Sequence, residues 1–387
     1  MQNKNTAHNA ALDGLRGLAC IWVILSHMDA FVGTATSSTG MYSQASLLWR
    51  FYRRLIDGNF PVSVFFVLSG YVLLLGFDRS NNVDQLSRAA VKRYFRLMPM
   101  ALFSVLLAWA VSNSIGFHNA EAAKAIGGHN WLAQYYPDRL LFWHSVRVGM
   151  LGAFTGDDLY NFPLWTMRVE LFGSLLLFAV AALFYKNRNF WVVCVAATFT
   201  LCYLCGNFGV YYALFLVGAM LLRYQSIRLP AWGIVVALML GSENIWTPEA
   251  FWAAPYLHFT GIDFDVMCHA IASVLLVSSV LKSPSASRVL SCRPVAYLGK
   301  LSFAMYALHA VVMLSVGSHI LSLGPEYGHP RQFAAIGFVV TFAVTILISH
   351  LAYGAIDGGA QRWSSRIADA FLNARRPRAS HQLPEME

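Results

Sequence analysis

Ten apolar stretches, most of them near twenty residues long, run the length of this 387-residue chain. Nothing constrains its fold more. A helical stretch of that length matches the hydrocarbon thickness of a bilayer. Within lipid every backbone N–H and C=O needs a partner inside the chain, so only helices or closed barrels can cross. Barrel strands would alternate apolar and polar residues over runs of about ten, whereas these runs are continuous. The sequence therefore predicts an all-α, polytopic membrane helix bundle of about ten spans. They fall at 13–33, 59–77, 97–115, 163–185, 190–206, 208–224, 229–242, 264–281, 298–318 and 333–356. Residues 138–154, with Arg139, His144 and Arg147, read as a further amphipathic helix, interfacial or re-entrant. Residues 1–11 would precede a membrane domain at 12–357, and 358–387 would form a basic tail.

Charge supports this reading. Only 12% of residues are charged and 57% are hydrophobic, against about a quarter charged in soluble domains. The formal net charge of +9 invites a nucleic-acid partner, but its distribution argues for topology instead. With the N-terminus in the cytoplasm, twenty of the 28 Lys and Arg fall on the cytoplasmic side and seven outside, with Arg168 left within a span. That split fits the positive-inside rule for both termini in the cytoplasm. Outer loops collect acids, including Asp157, Asp158, Glu243, Glu249, Asp263 and Asp265. The tail ARRPRAS then reads as a lipid-headgroup anchor. A cleavable signal peptide is not expected, because the first apolar run is long for one. Five of the six cysteines lie in apolar segments and Cys292 in a basic loop. Cys202 and Cys205 lack nearby His or acidic partners, so they read as small core hydrophobes.

Ionisable groups inside spans are expensive and mark sites or pathways. The first span, LDGLRGLACIWVILSHMDAFV, carries Arg16 and His27. Eleven helical steps put them within about 20° of one face and about 16 Å apart along the axis. The fourth span, PLWTMRVELFGSLLLF, carries Arg168 and Glu170. Counting from the membrane surfaces places Glu170 and His27 at similar depths, which suggests a general base and a proton-sharing partner. Each of Arg168 and Glu170 has an alternative as the satisfier of some other buried group. In the ninth span, Ser302, Tyr306 and His309 share a helix face, either lining a site or forming an interhelical hydrogen-bond seam. His269 and His350 read as core hydrogen-bonding residues. The stretch KRYFRLMP sets Arg93 and Arg96 at i, i+3, at the cytoplasmic start of a helix bounded by Pro99. Such a pair grips phosphates bidentately, or simply anchors the topology. FPVSVFFVLSGYVL adds Ser69, Gly70 and Tyr71. No P-loop, zinc-helix motif or dinucleotide fingerprint is found, and no metal is expected.

The R-x10-H pair Arg16 and His27, then FFVLSGYVL, RYFR, LWTMRVE and LGKLSFAMYALH, in that order, resemble the membrane acyltransferase-3 family over roughly residues 10–357. These are bacterial inner-membrane proteins that O-acylate cell-surface or exported carbohydrates. The resemblance implies acyl-CoA, acetyl-CoA above all, as donor from the cytoplasm, and a carbohydrate or lipid-linked glycan acceptor on the outer side. His27 matches the family's catalytic histidine and Arg16 its paired basic residue. Arg93 and Arg96 match its donor-binding arginine motif. The family often reads VEEQFY where this chain reads VELFGS, so Glu170 matches the first acid and Leu171 replaces the second. Some relatives carry a fused C-terminal hydrolase-like domain. The short segment after the last span here implies transfer completed alone, or with a separate periplasmic partner. His27 is expected to act as base, with an acyl-His27 intermediate as the competing route and Glu170 orienting His27 or carrying its proton away, while Arg16, Arg93 and Arg96 hold the donor. Ser69, Tyr71, Arg168, Ser302, Tyr306 and His309 are candidate site-lining residues. The competing class is a proton-coupled transporter of a small anion or glycolipid.

Overall fold

Each of the ten stretches falls on a helix in the computed structural model, which describes residues 2–42, 46–128, 130–136, 139–242 and 261–375. No strand occurs among the described residues. The helices are α1 (Gln2–His27), α2 (Asn59–Ser80), α3 (Val83–Asn113), α4 (Thr166–Phe184), α5 (Phe190–Cys205), α6 (Asn207–Arg223), α7 (Trp232–Leu240), α8 (Phe264–Lys282), α9 (Arg293–Val312) and α10 (Pro330–Ala352). An eleventh, α11 (Gly358–Arg375), follows α10 after a five-residue π-turn, Tyr353–Asp357. Among the described residues, seven helices are long and apolar enough to cross a membrane. α5 and α6 are shorter, and α7 has only nine residues.

Two of the helix ends that differ from the sequence reading shape the site. The first span was expected to run on to residue 33, but α1 stops at His27. Met28 leaves helical geometry, with φ −89° and ψ 15°, and a separate helix Asp29–Thr36 follows. The hydroxyl of Tyr52 donates to the Leu25 carbonyl at this end, which also accepts from the Met28 N–H at 3.0 Å. The third span was expected to start at 97, with Pro99 as its boundary. Instead α3 starts at Val83, where the Asn82 side chain accepts from the Asp84 N–H at 2.9 Å. It then continues through Pro99, which costs one backbone hydrogen bond without ending the helix. The extra turns are covered by α11, through Arg88–Asp369 at 2.8 Å and Phe95 packed edge-on to Trp363.

Glycines set two close crossings. α1 lies along α9, and a Cβ on Gly17 would stand 2.6 Å from the Gly299 nitrogen. One on Gly299 would stand 2.0 Å from the Asp13 carbonyl oxygen. At the α2–α6 crossing, a Cβ on Gly70 would meet the Phe215 carbonyl oxygen at 2.1 Å, and one on Gly218 the Val67 carbonyl oxygen at 2.3 Å. Small residues that let backbones touch are the common glue of helices in lipid.

The segment expected to be interfacial or re-entrant forms the short helix Phe142–Arg147, a π-turn Val148–Gly152 and a last turn to Thr155, packed on α3. Asp138, Glu243, Glu249, and residues 376–387 of the expected lipid anchor lie outside the described residues.

Candidate active site

Because α1 ends at His27, its imidazole sits at a helix terminus facing α9. His27 Nδ1 lies 2.9 Å from His309 Nε2, with the ring planes only 11° apart. His309 Nδ1 lies 2.8 Å from the Tyr306 carbonyl oxygen and 3.2 Å from that of Met305. Carbonyls only accept, so His309 carries its proton on Nδ1. Its Nε2 then accepts from His27 Nδ1–H. That fixes the neutral His27 tautomer with its lone pair on Nε2, the arrangement a general base requires. Phe162 stands edge-on to the His27 ring, centroids 5.0 Å apart.

His27 lines a cavity of about 250 Å³ that also presents Asp29, Asp57, Tyr52 and Trp165. Both Asp29 oxygens are engaged, by Tyr42 at 2.5 Å and Trp49 at 2.7 Å. Burial, then the Asp29 carboxylate, raise the Tyr52 hydroxyl above the usual phenol range, which keeps it a donor.

A second cavity, about 400 Å³, opens beside Asp13 and Arg16, near the middle of α1. Four cations line it, Arg16, Arg93, Arg96 and Lys300, against three carboxylates, Asp13, Glu170 and Asp357. Arg93 forms a close ion pair with Glu170, and its Nε donates to Ser174 Oγ at 3.1 Å. Ser69 Oγ donates to the same carboxylate at 3.0 Å. Arg96 grips Asp357 with two nitrogens, at 2.5 and 2.8 Å. Gln361 on α11 donates to Asp357 at 3.3 Å. Arg16 has a longer contact with Asp13, 3.5 Å. Val62 and Tyr306 line both cavities, so they form the wall between them. The Tyr306 hydroxyl donates to the Pro163 carbonyl at 3.1 Å, which holds its ring in place.

The expected His27–Glu170 partnership does not form. His27 is level with Phe162, just before α4, and Glu170 lies eight residues further, about 12 Å along the axis. The early start of α3 puts Arg93 opposite Glu170, and a guanidinium holds a carboxylate more strongly than a neutral imidazole does. Of the candidate residues, Arg16, Arg93, Arg96, Glu170, Ser69 and Ser302 gather in the second cavity. His309 is the partner of His27 rather than a lining residue. Tyr71 and Arg168 line neither cavity. The Tyr71 hydroxyl accepts from Arg228 at 3.1 Å, and Arg168 lies over the Phe208 ring, 5.2 Å from its centroid. Leu171, where relatives often carry a second acid, packs against a buried apolar cluster. Asp57 and Asp357 escaped the sequence reading. Each is a lone acid beside glycine at the edge of an apolar run, a pattern shared by ordinary loops.

A sequence profile described as an acyltransferase domain matches residues 9–350. The O-acetyltransferase PaAT-1 of Phomopsis amygdali is 23% identical, over 89% of this chain and 82% of its own length. Acyltransferase clz18 of Cochliobolus lunatus is also 23% identical, over 87% and 90%. Acyltransferase R4 of Phoma sp. is 24% identical over the same shares. All three relatives are fungal. No solved structure matches the chain significantly. Apolar helices in a bundle, and a profile match spanning nearly the whole chain, make this multi-pass membrane protein an acyltransferase, a member of the acyltransferase-3 family.

Proposed function

We propose that the protein transfers an acyl group, acetyl by preference, from acyl-CoA to a hydroxyl of an exported or cell-surface carbohydrate. The observation that carries this reading is the pair of cavities meeting at Tyr306, one basic and one holding His27. The reading adopts ten spans, with both termini in the cytoplasm. The bacterial inner membrane comes from the sequence resemblance alone, since the relatives named above are fungal.

Arg16, Arg93 and Arg96 hold the donor phosphates at the cytoplasmic mouth. A guanidinium has five N–H donors, so Arg93 keeps Glu170 while presenting others, and Arg96 exchanges Asp357 for phosphate. The pantetheine arm spans the roughly 16 Å from Arg16 toward His27. The acceptor enters the His27 cavity from the outer side. His27 Nε2 takes the proton from the attacking hydroxyl, and the oxygen adds to the thioester carbonyl. The new C–O bond forms as the C–S bond breaks, and His27 returns the proton to the departing thiolate. His309 holds the imidazole through Nδ1–H, while Glu170 serves Arg93 rather than the proton. A separate periplasmic partner enters only where the acyl group must travel beyond this cavity.

The test is transfer of labelled acetyl from acetyl-CoA to a glycan by purified protein in lipid. His27→Ala should abolish turnover and retain acetyl-CoA binding. Turnover near wild type in that variant overturns the assignment. Glycan movement without covalent change would make the protein a transporter.

A further inference from the structure

The His27 cavity contains a charged group that the transfer chemistry leaves unused. Asp57 sits in the turn before α2 and lines this cavity, yet it is only 7% exposed. Its bonds are lopsided. The N–H groups of Asn59 and Phe60 both donate to Oδ1, at 2.6 and 3.1 Å. His269 Nε2 also stands 3.5 Å from Oδ1. No donor among the described residues reaches Oδ2. A carboxylate so buried normally uses both oxygens, as Asp29 does in the same cavity. The turn itself is pressed against α1. A Cβ on Gly58 would stand 2.6 Å from Ser26 Oγ, next to His27. Two polar groups therefore face one small space from adjacent backbone, a base and an acceptor that no described residue fills. Trp165 and Phe162 add aromatic walls suited to the apolar face of a ring.

We propose that Asp57 Oδ2 receives a second hydroxyl of the acceptor, adjacent to the one being acylated, so that the enzyme selects vicinal polyols over single alcohols. The inference rests on the acyl-CoA reading above and adds the recognition element for its acceptor. The cavity, at about 250 Å³, is smaller than the usual range for drug-sized ligands. It accommodates one ring at a time. The bonds that Asp57 already makes hold it rigid, so the carboxylate is oriented before the acceptor arrives. A hydrogen bond to an ionised group contributes about 1.5–3 kcal/mol, equivalent to roughly ten- to a hundredfold in rate.

Three simple acceptors separate the cases, each offered with labelled acetyl-CoA to the purified protein in lipid vesicles. They are cyclohexane-1,2-diol, cyclohexanol, and 2-methoxycyclohexanol, whose ether oxygen has no proton to donate. Wild-type protein should acetylate the diol about tenfold or more faster than either of the others. In Asp57→Asn the amide nitrogen replaces Oδ2 as a donor, so the preference should turn from the diol toward the ether. Equal rates on all three with wild type overturn the inference, whatever the variant does. So does a diol preference that survives in Asp57→Asn. Release of CoA without acetylation of any of the three also overturns it and leaves the donor reading standing. A complete lack of CoA release from acetyl-CoA instead removes the acyl-CoA reading on which it rests.

Discussion

His309 Nε2 accepts the Nδ1 proton of His27 across 2.9 Å, and His309 is itself locked by two backbone carbonyls of its own helix. The pair resembles a catalytic imidazole and its orienting acid, with a neutral ring in place of the acid. An orienter of this kind sets tautomer and direction without adding a charge inside the membrane domain.

The His309→Ala variant leaves His27 free to rotate and to carry its proton on either nitrogen. Its kcat should fall by about a hundredfold or more, the scale seen when a base loses its correct tautomer. Donor KM should stay near wild type, because His309 is not among the residues lining the basic cavity. His309→Gln retains an acceptor for the His27 proton and should recover part of the loss. Steady-state kinetics of the three proteins on acetyl-CoA decide the matter. Equal activity of the Ala and Gln variants would reduce His309 to a packing residue.

How much of this was legible in the sequence follows from what each feature depends on. The helices were legible because apolar length is a local property, and the ten stretches map onto α1–α10. His27 and Arg16 stood out because ionisable residues inside apolar runs are rare. Their partners were not legible. Depth counted from the ends of apolar runs assumed one unbroken first helix, and α1 ends at His27. The Asn82 cap that starts α3 early is an ordinary polar residue in a polar stretch, yet it decides that Arg93 meets Glu170. Pairing across helices depends on register, which apolar periodicity leaves open.

The Arg93–Glu170 pair is well buried, with 14% and 13% of the side chains exposed. Removing one partner strands the other's charge, at a cost of about 3–5 kcal/mol. Glu170→Ala should therefore lower thermal stability sharply, whether or not catalysis needs the carboxylate. Replacing both, Arg93→Met with Glu170→Leu, should restore much of the melting temperature. Thermal unfolding in detergent compares the three. A double variant no more stable than Glu170→Ala would exclude the buried pair as the cause.

Arg96 offers a contrast in the same cavity. Its partner Asp357 comes from the π-turn between α10 and α11, beyond the matched residues 9–350. If the donor's phosphates must displace this carboxylate, Asp357→Asn weakens the competitor and should lower the KM for acetyl-CoA several-fold. Arg96→Ala should raise it by tenfold or more, the size of a lost charge-assisted bond. A raised KM in Asp357→Asn would show instead that the carboxylate holds Arg96 in its binding position.

The shared wall at Tyr306 has an electrical consequence. In the topology proposed here, water in the two cavities would conduct each bulk potential deep into the protein. The transmembrane voltage would then drop mainly across the thin partition of Tyr306 and Val62. Moving one elementary charge through 100 mV is worth about 2.3 kcal/mol. The charges that develop on His27 and the departing sulfur during transfer lie beside this partition, within that drop. The rate of a reaction that carries no net ion across the membrane would therefore depend on whether that membrane is energised.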